Sequence, residues 1–172
     1  MARRRAVGSG LRGGNPSARE NDVTTQSETA PAEGTVVVTE TSAGGYTRQI
    51  VAGHHQLMAD EPPPVGNDTG PTPYDLLLAG LGACTSMTVR MYADRKGWPV
   101  EDIRVTLRHS RIHAKDCAEC ETRIGFIDQI DCDVEVTGDL DDDQRERLRY
   151  IAERCPVHQT LTSELRITTT LS

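Results

Sequence analysis

The sequence is poor in aromatic residues and has no long uninterrupted apolar run. One Phe, one Trp and four Tyr among 172 residues leave few rings on which nucleic-acid bases could stack. A net charge of -7 also opposes binding to a polyanion. No apolar run approaches the roughly 18 residues that a membrane span needs. We therefore expect neither a nucleic-acid partner nor a membrane.

The first 34 residues lack the apolar periodicity of a folded element. Residues 1–19 carry five arginines and no acid, so the remainder holds a charge of -12 (-7 minus +5). No apolar core follows these arginines, and we expect no secretory signal. We predict a disordered extension over residues 1–34 and one folded domain over 35–172. The extension is either a basic arm for an anionic partner or a plain solvated tail.

The chain has five cysteines, an odd number. An odd count in an acidic chain without an expected secretory signal does not fit a secreted disulfide framework. We therefore expect some free thiols and a cytoplasmic location.

Local patterns predict an α+β domain that opens with strands and a long helix. Strands are expected over 35–39 and 46–51, and residues 54–60 continue the second or add a third. A capping-box pattern, Thr72 with Asp75, and Pro73 at the first helical position start a helix of about 24 residues that ends at Lys96, before Gly97. Residues 76–84 have no polar side chain except that of Cys84. We expect this helix to be buried all round, its second side covered by another copy of the chain.

The second half predicts two more strands, a second helix and a final strand. Alternation indicates strands from residue 103 to as far as 112 and over 127–136. A helix starts near Asp141, and its spacing places Cys155 on its apolar face. Residues 165–171 alternate again, as in a last strand. The order predicts antiparallel sheet with helices packed on one side.

Three cysteines lie in different settings. Cys132 alternates with apolar residues and is expected in the core. Cys84 lies mid-helix among small residues, as either a packed core thiol or a reactive one. Cys155 precedes Pro156, and if that proline opens a short helix, Cys155 is its N-cap, where backbone N–H groups stabilise a thiolate.

Two segments together resemble a known family. They are Gly70-Pro-Thr-Pro-Tyr-Asp-Leu-Leu-Leu-Ala-Gly-Leu-Gly-Ala-Cys84 and, about seventy residues later, Cys155-Pro-Val-His158. In both cysteine contexts, the spacing and the order of elements, residues 35–172 resemble the OsmC/Ohr superfamily, the osmotically inducible and organic hydroperoxide resistance proteins. The CxxC stretch resembles its OsmC-like branch.

The resemblance implies an OsmC-like fold in an intertwined homodimer, with active sites at the subunit interface. It implies that Cys84 is the thiolate that attacks an organic hydroperoxide in defence against oxidative stress. Cys155 would be the resolving thiol, and an external dithiol would reduce the resulting disulfide, without a cofactor. An apolar pocket for the peroxide is expected from Leu77, Leu81 and Met87.

Family members also place an Arg beside the thiolate and a Glu ten residues before it. Tyr74 occupies that Glu position here. The adjacent Asp75 is a candidate for the acid's role, although it can equally serve only to close the capping box on Thr72. Arg48 is our candidate for the cation.

A CxxC pair leaves further alternatives open. Cys117 and Cys120, with His113, supply three residues of zinc-ligand type, the fourth coming from His109, His158 or a second subunit. The pair is alternatively a redox-active dithiol, or a loop without chemistry. The protein is accordingly either a thiol-dependent peroxidase or a non-catalytic OsmC-like module that binds an apolar ligand or zinc.

Overall fold

The computed structural model describes residues 30–42, 44–117, 120–122 and 124–171. Most of the predicted N-terminal extension lies outside these residues. The chain begins with a three-stranded antiparallel sheet in the order β1 (Val36–Glu40), β2 (Arg48–Ala52) and β3 (His55–Ala59). This sheet confirms the expected strands, and residues 55–59 form a separate third strand.

The long helix α1 spans Pro73–Lys96, as its local signals predict. The hydroxyl of Thr72 accepts the N–H of Asp75, and the Asp75 carboxylate accepts the N–H of Thr72. Gly97 ends the helix in the left-handed conformation, with φ of 66°, which glycine adopts without a steric cost.

By length and composition alone, α1 is also apolar enough to cross a membrane. The search for an uninterrupted apolar run in the sequence did not predict that α1 is this apolar overall. In the structure, one face of α1 packs against the strand and the two helices that follow it.

A long hairpin and two helices complete the domain. Strands β4 (Val100–His113) and β5 (Phe126–Gly138) pair antiparallel as a second sheet, followed by α2 (Asp142–Ala152) and the short α3 (Pro156–Thr162). Helix α1 lies against β4, α2 and α3. The core between them is centred on buried apolar side chains: Val89, Tyr92, Ala93, Val100, Leu140, Leu148 and Ala152.

A close approach between α1 and β4 depends on Gly82. A Cβ at this position would lie 2.7 Å from Cδ1 of Leu107. The missing side chain therefore lets β4 pack directly on the helix.

Within one chain, helix α1 is covered on one side only, since Met87 and Met91 are 65% and 72% exposed; its cover by a second copy stays a prediction. Two other expectations about packing are wrong. Helix α2 ends at Ala152, so Cys155 lies beyond it. Residues 164–171 form no strand and are exposed, because neither sheet of the described chain supplies them with a hydrogen-bonding neighbour.

Candidate thiol site

Cys84 lies midway along α1 and is half-buried. An outward-facing apolar stripe contains it, made of residues at helical spacing: Leu77, Gly80, Cys84, Met87 and Met91. Two of the three predicted pocket residues, Leu77 and Met87, therefore share its side of the helix and are exposed. The third, Leu81, is buried, so one chain leaves the predicted pocket open.

Cys155 is fully buried and is the N-cap of α3. The backbone N–H of His158 donates to its sulfur at 3.3 Å, which confirms the N-cap prediction. On the other side, Oγ1 of Thr85 lies 3.3 Å from the same sulfur. Because Thr85 follows Cys84 directly, the sulfur of Cys155 contacts the same turn of α1 that carries Cys84.

The contact of Thr85 with Cys155 was not predicted from the sequence. Thr85 is the first polar, non-thiol side chain after an apolar run, and it is almost completely buried. A buried hydroxyl needs a hydrogen-bonding partner, so this signal pointed to a polar neighbour. Nothing in the local pattern identified that neighbour as Cys155, seventy positions later.

Asp75 closes the capping box of α1. Hydrogen bonds from the hydroxyl of Thr72, at 2.7 Å, and from its N–H, at 3.0 Å, hold the pKa of the Asp75 carboxyl below its usual value. Cys84 lies nine positions after Asp75, roughly 13 Å along the helix axis. Within one chain, Asp75 therefore acts as a helix cap and is not brought beside Cys84.

Arg48 begins β2, and its guanidinium points to the turn before that strand. It donates to the carbonyls of Gly45 and Thr47, at 3.1 and 2.9 Å, and lies 3.9 Å from the carboxylate of Glu40. All these partners belong to the N-terminal sheet and its first turn. The structure does not bring Arg48 to Cys84 within a chain.

The prediction that Cys132 lies in the core is wrong, because this residue is exposed. It shares a face of β5 with Val134 and Val136, as alternation predicts, but it lies where that face opens into a groove of about 1000 Å³ that His158 also lines. Burial on its inner side raises the pKa of the Cys132 thiol, and Cys155 and Asp133 raise it further. A raised pKa leaves less of the Cys132 thiol in the nucleophilic thiolate form.

The CxxC cysteines are bonded to each other. Cys117 and Cys120 form a disulfide, with Cα atoms 5.5 Å apart. His113 accepts the N–H of Lys115 through Nδ1. A disulfide offers no thiolate ligands, and in the described ranges no three His, Cys, Asp or Glu side chains are placed to hold a metal ion. The structure does not assemble the zinc site that His113, Cys117 and Cys120 suggested.

Comparison with protein families assigns the fold. Residues 66–170 match the profile of the OsmC-like protein family. The chain belongs to the OsmC-like family. No curated protein sequence matches it.

Solved structures of OsmC and Ohr proteins share this architecture. An OsmC-like protein from Mycoplasma pneumoniae is 20% identical, with a TM-score of 0.57 over 74% of this chain and 85% of that one. A Legionella pneumophila protein described as an organic hydroperoxide resistance protein and predicted redox protein is 23% identical, with a TM-score of 0.54 over 77% and 92%. OhrB of Bacillus subtilis, an organic hydroperoxide resistance protein, is 22% identical, with a TM-score of 0.50 over 74% and 89%. At these identities the similarity establishes the fold.

Proposed function

We propose that this OsmC-like protein is a thiol-dependent peroxidase that reduces organic hydroperoxides through Cys84 and Cys155. The observation that carries the proposal is the 3.3 Å contact between Thr85 and the sulfur of Cys155. It places a buried thiol against the turn of α1 that presents Cys84 to an apolar surface. Two thiols at one helical turn, one accessible and one protected, are what a cycle of attack and resolution requires.

The two cysteines have distinct roles in this cycle. The thiolate of Cys84 attacks the terminal oxygen of ROOH and becomes a sulfenic acid, while the O–O bond breaks and ROH leaves with a proton. The thiol of Cys155 then condenses with the sulfenic acid to give a disulfide and water. An external dithiol returns two electrons and two protons by thiol–disulfide exchange.

The setting of Cys155 suits the resolving role. The N–H of His158 donates to its sulfur and holds the thiol at the N-cap of α3. Full burial protects this thiol from direct attack by peroxide. Cys84 is the accessible thiol, and its neighbours Leu77 and Met87 offer the alkyl group of an organic hydroperoxide an apolar surface.

The active form in this proposal is a homodimer. Among the apolar surfaces that the described part of one chain leaves uncovered are the α1 stripe and one face of the N-terminal sheet. In the strand register, Val38, Ile50 and Leu57 lie side by side on that face; Val38 and Leu57 are 57% and 50% exposed, whereas Ile50 between them is buried. A two-fold dimer in which the sheet of each subunit covers the α1 stripe of the other would bury both surfaces.

This arrangement would give Arg48 a function that it lacks within a chain. Residues 48, 50 and 52 of β2 alternate, so Arg48 lies on the same face of the sheet as Ile50. In the proposed dimer it would face the α1 stripe of the other subunit and supply the cation that a buried thiolate needs. Asp75 keeps its role as the helix cap.

Hydroperoxide consumption tests the proposed activity. With an alkyl hydroperoxide and a dithiol donor, the wild-type protein should turn over repeatedly, and Cys84→Ser should lose consumption by at least about 100-fold, because the attacking sulfur is absent. When no thiol donor is added, Cys155→Ser should give about one equivalent of ROH per subunit. Cys132→Ser is the matched control, which should keep full activity. A wild-type protein that consumes no alkyl hydroperoxide with any dithiol donor would contradict the proposal and favour a non-catalytic binding module.

A further inference from the structure

The end of the β4–β5 hairpin carries the disulfide of the described chain. We call this region the hairpin tip, comprising residues 113–117, 120 and 124–126. The other three cysteines are free, so the bridge is not one of a set that holds the fold together. It also lies outside the cycle proposed for Cys84 and Cys155. Its position therefore calls for a separate account.

The bridge is not needed to close the hairpin. The strand ladder continues without it to the pair His113 and Phe126. Beyond that pair, the N–H of Ala114 donates to the carbonyl of Gly125 at 2.8 Å, and Ala114 is buried. A disulfide stabilises chiefly by restricting the unfolded chain, and a bridge between positions three apart restricts it least. A structural role explains little of its presence.

Neither cysteine of the bridge is fully buried. Cys117 and Cys120 are half-buried, and the residues beside them, Asp116 and Glu121, are exposed. Exchange begins when a thiolate approaches a disulfide sulfur, and access is one of the factors that set its rate. The bridge meets this requirement.

An uncovered apolar surface lies at the same end of the hairpin as the bridge. Ile124 and Phe126 are 89% and 62% exposed. The ring of Phe126 lies edge-on to that of His113, with centroids 5.3 Å apart. His113 is in turn the N-cap of the short 3-10 helix Ala114–Asp116, and Cys117 is its C-cap. The apolar surface and the first sulfur are thus parts of one connected turn.

We propose that the hairpin tip is a second thiol–disulfide exchange site, at which a dithiol-bearing protein docks on Ile124 and Phe126 and reduces Cys117–Cys120. The chemistry of the bridge, which shares the hairpin tip with the apolar surface, determines the choice of occupant. Small thiols need no docking surface, whereas a protein dithiol has to hold its attacking sulfur in line with the bridge.

The exchange is balanced by the partner dithiol. One partner thiolate attacks a sulfur of the bridge, which forms a mixed disulfide and releases the other cysteine as a thiolate that takes up a proton. The second thiol of the partner then attacks its own sulfur in the mixed disulfide and releases the second cysteine. Two electrons and two protons pass to Cys117 and Cys120, and the partner leaves as a disulfide.

The rate at which the Cys117–Cys120 bridge is reduced tests the site. Alkylation of the freed cysteines and mass spectrometry measure this rate. We expect a reduced protein of the thioredoxin type to open the bridge at least about 10-fold faster than dithiothreitol at equal dithiol concentration. The double substitution Ile124→Ser and Phe126→Ser should remove that advantage, and Ile124→Ser alone should remove part of it. Neither variant should change the rate of reduction by dithiothreitol. Val65→Ser, which removes an exposed apolar side chain elsewhere, is the matched control.

Three outcomes would overturn the proposal. One is equal rates for the protein dithiol and dithiothreitol, and another is rates that the Ile124 and Phe126 substitutions do not alter. The third is protein isolated with stoichiometric zinc that Cys117→Ala removes, which would make the sulfurs metal ligands. The variant Cys84→Ser with Cys155→Ser should lose peroxide reduction and keep full exchange at the tip, so the two proposals can fail separately.

Discussion

The two halves of the chain bury their apolar residues to very different extents. The core formed by α1, α2 and the β4–β5 sheet encloses Val89 and Leu148 almost completely. The N-terminal sheet leaves most of its valines exposed, and α1 leaves the stripe around Cys84 exposed. The C-terminal half is thus completed by its own chain, whereas the N-terminal half has an apolar face without cover. Cys84 lies on the border between them, where a second subunit would complete a pocket.

The largest effect on stability is expected in the completed half. Leu148→Ala should lower the free energy of unfolding by about 2–5 kcal/mol, because it leaves a cavity among well-packed neighbours. Urea unfolding monitored by circular dichroism measures this. At concentrations where the chain is monomeric, Leu57→Ala in the exposed sheet should cost less than about 1 kcal/mol. Equal losses for the two substitutions would show that the halves do not differ.

A charge on the exposed stripe tests the uncovered half. Met87→Asp should raise the dimer dissociation constant by at least about 100-fold, since association would bury an unpaired carboxylate, and peroxide reduction should fall with it. Analytical ultracentrifugation gives the constant. Ile124→Asp introduces the same charge at the hairpin tip and should leave the dimer intact. A wild-type protein that is monomeric at high concentration would contradict the proposed interface.

A smaller effect is expected in acid, at the loop that joins the halves. Buried Asp60 loses solvation, which raises its pKa, but hydrogen bonds from Thr69 and from the N–H groups of Glu61, Thr69 and Asn67 outweigh this and lower it from 3.8 to about 2. The folded-state pKa lies below the unfolded one. The stabilisation is therefore complete above about pH 3.8 and is lost as the pH falls through about 2.

Asp60→Asn measures that contribution. The wild-type protein should have the larger free energy of unfolding at neutral pH, and its advantage over the variant should shrink steadily between pH 3.8 and 2. A difference that does not change over this interval would show that the Asp60 charge does not hold the loop.

Local signals predicted the parts of the molecule that local interactions determine. Helix α1 begins at Pro73 and ends at Lys96 because a capping box and a left-handed glycine define its ends within a few residues. Pro156 likewise identified Cys155 as an N-cap. Such features depend on hydrogen bonds between residues close in sequence.

Long-range contacts were beyond the same reasoning. Alternation correctly placed Cys132 on the face of Val134, but it carries no information on whether another element covers that position. The contact between Thr85 and Cys155 joins residues seventy positions apart. Residues 165–171 alternate like a strand, yet a strand also needs a neighbour, and the described chain gives them none.

Mass spectrometry of the intact protein after graded additions of an alkyl hydroperoxide tests whether Cys84 and Cys155 form one redox couple. We expect the first new disulfide to join Cys84 to Cys155 and to form with about one equivalent of hydroperoxide per site, while Cys132 remains a free thiol. A first product at Cys132, or oxidation of Cys84 that never engages Cys155, would contradict this expectation.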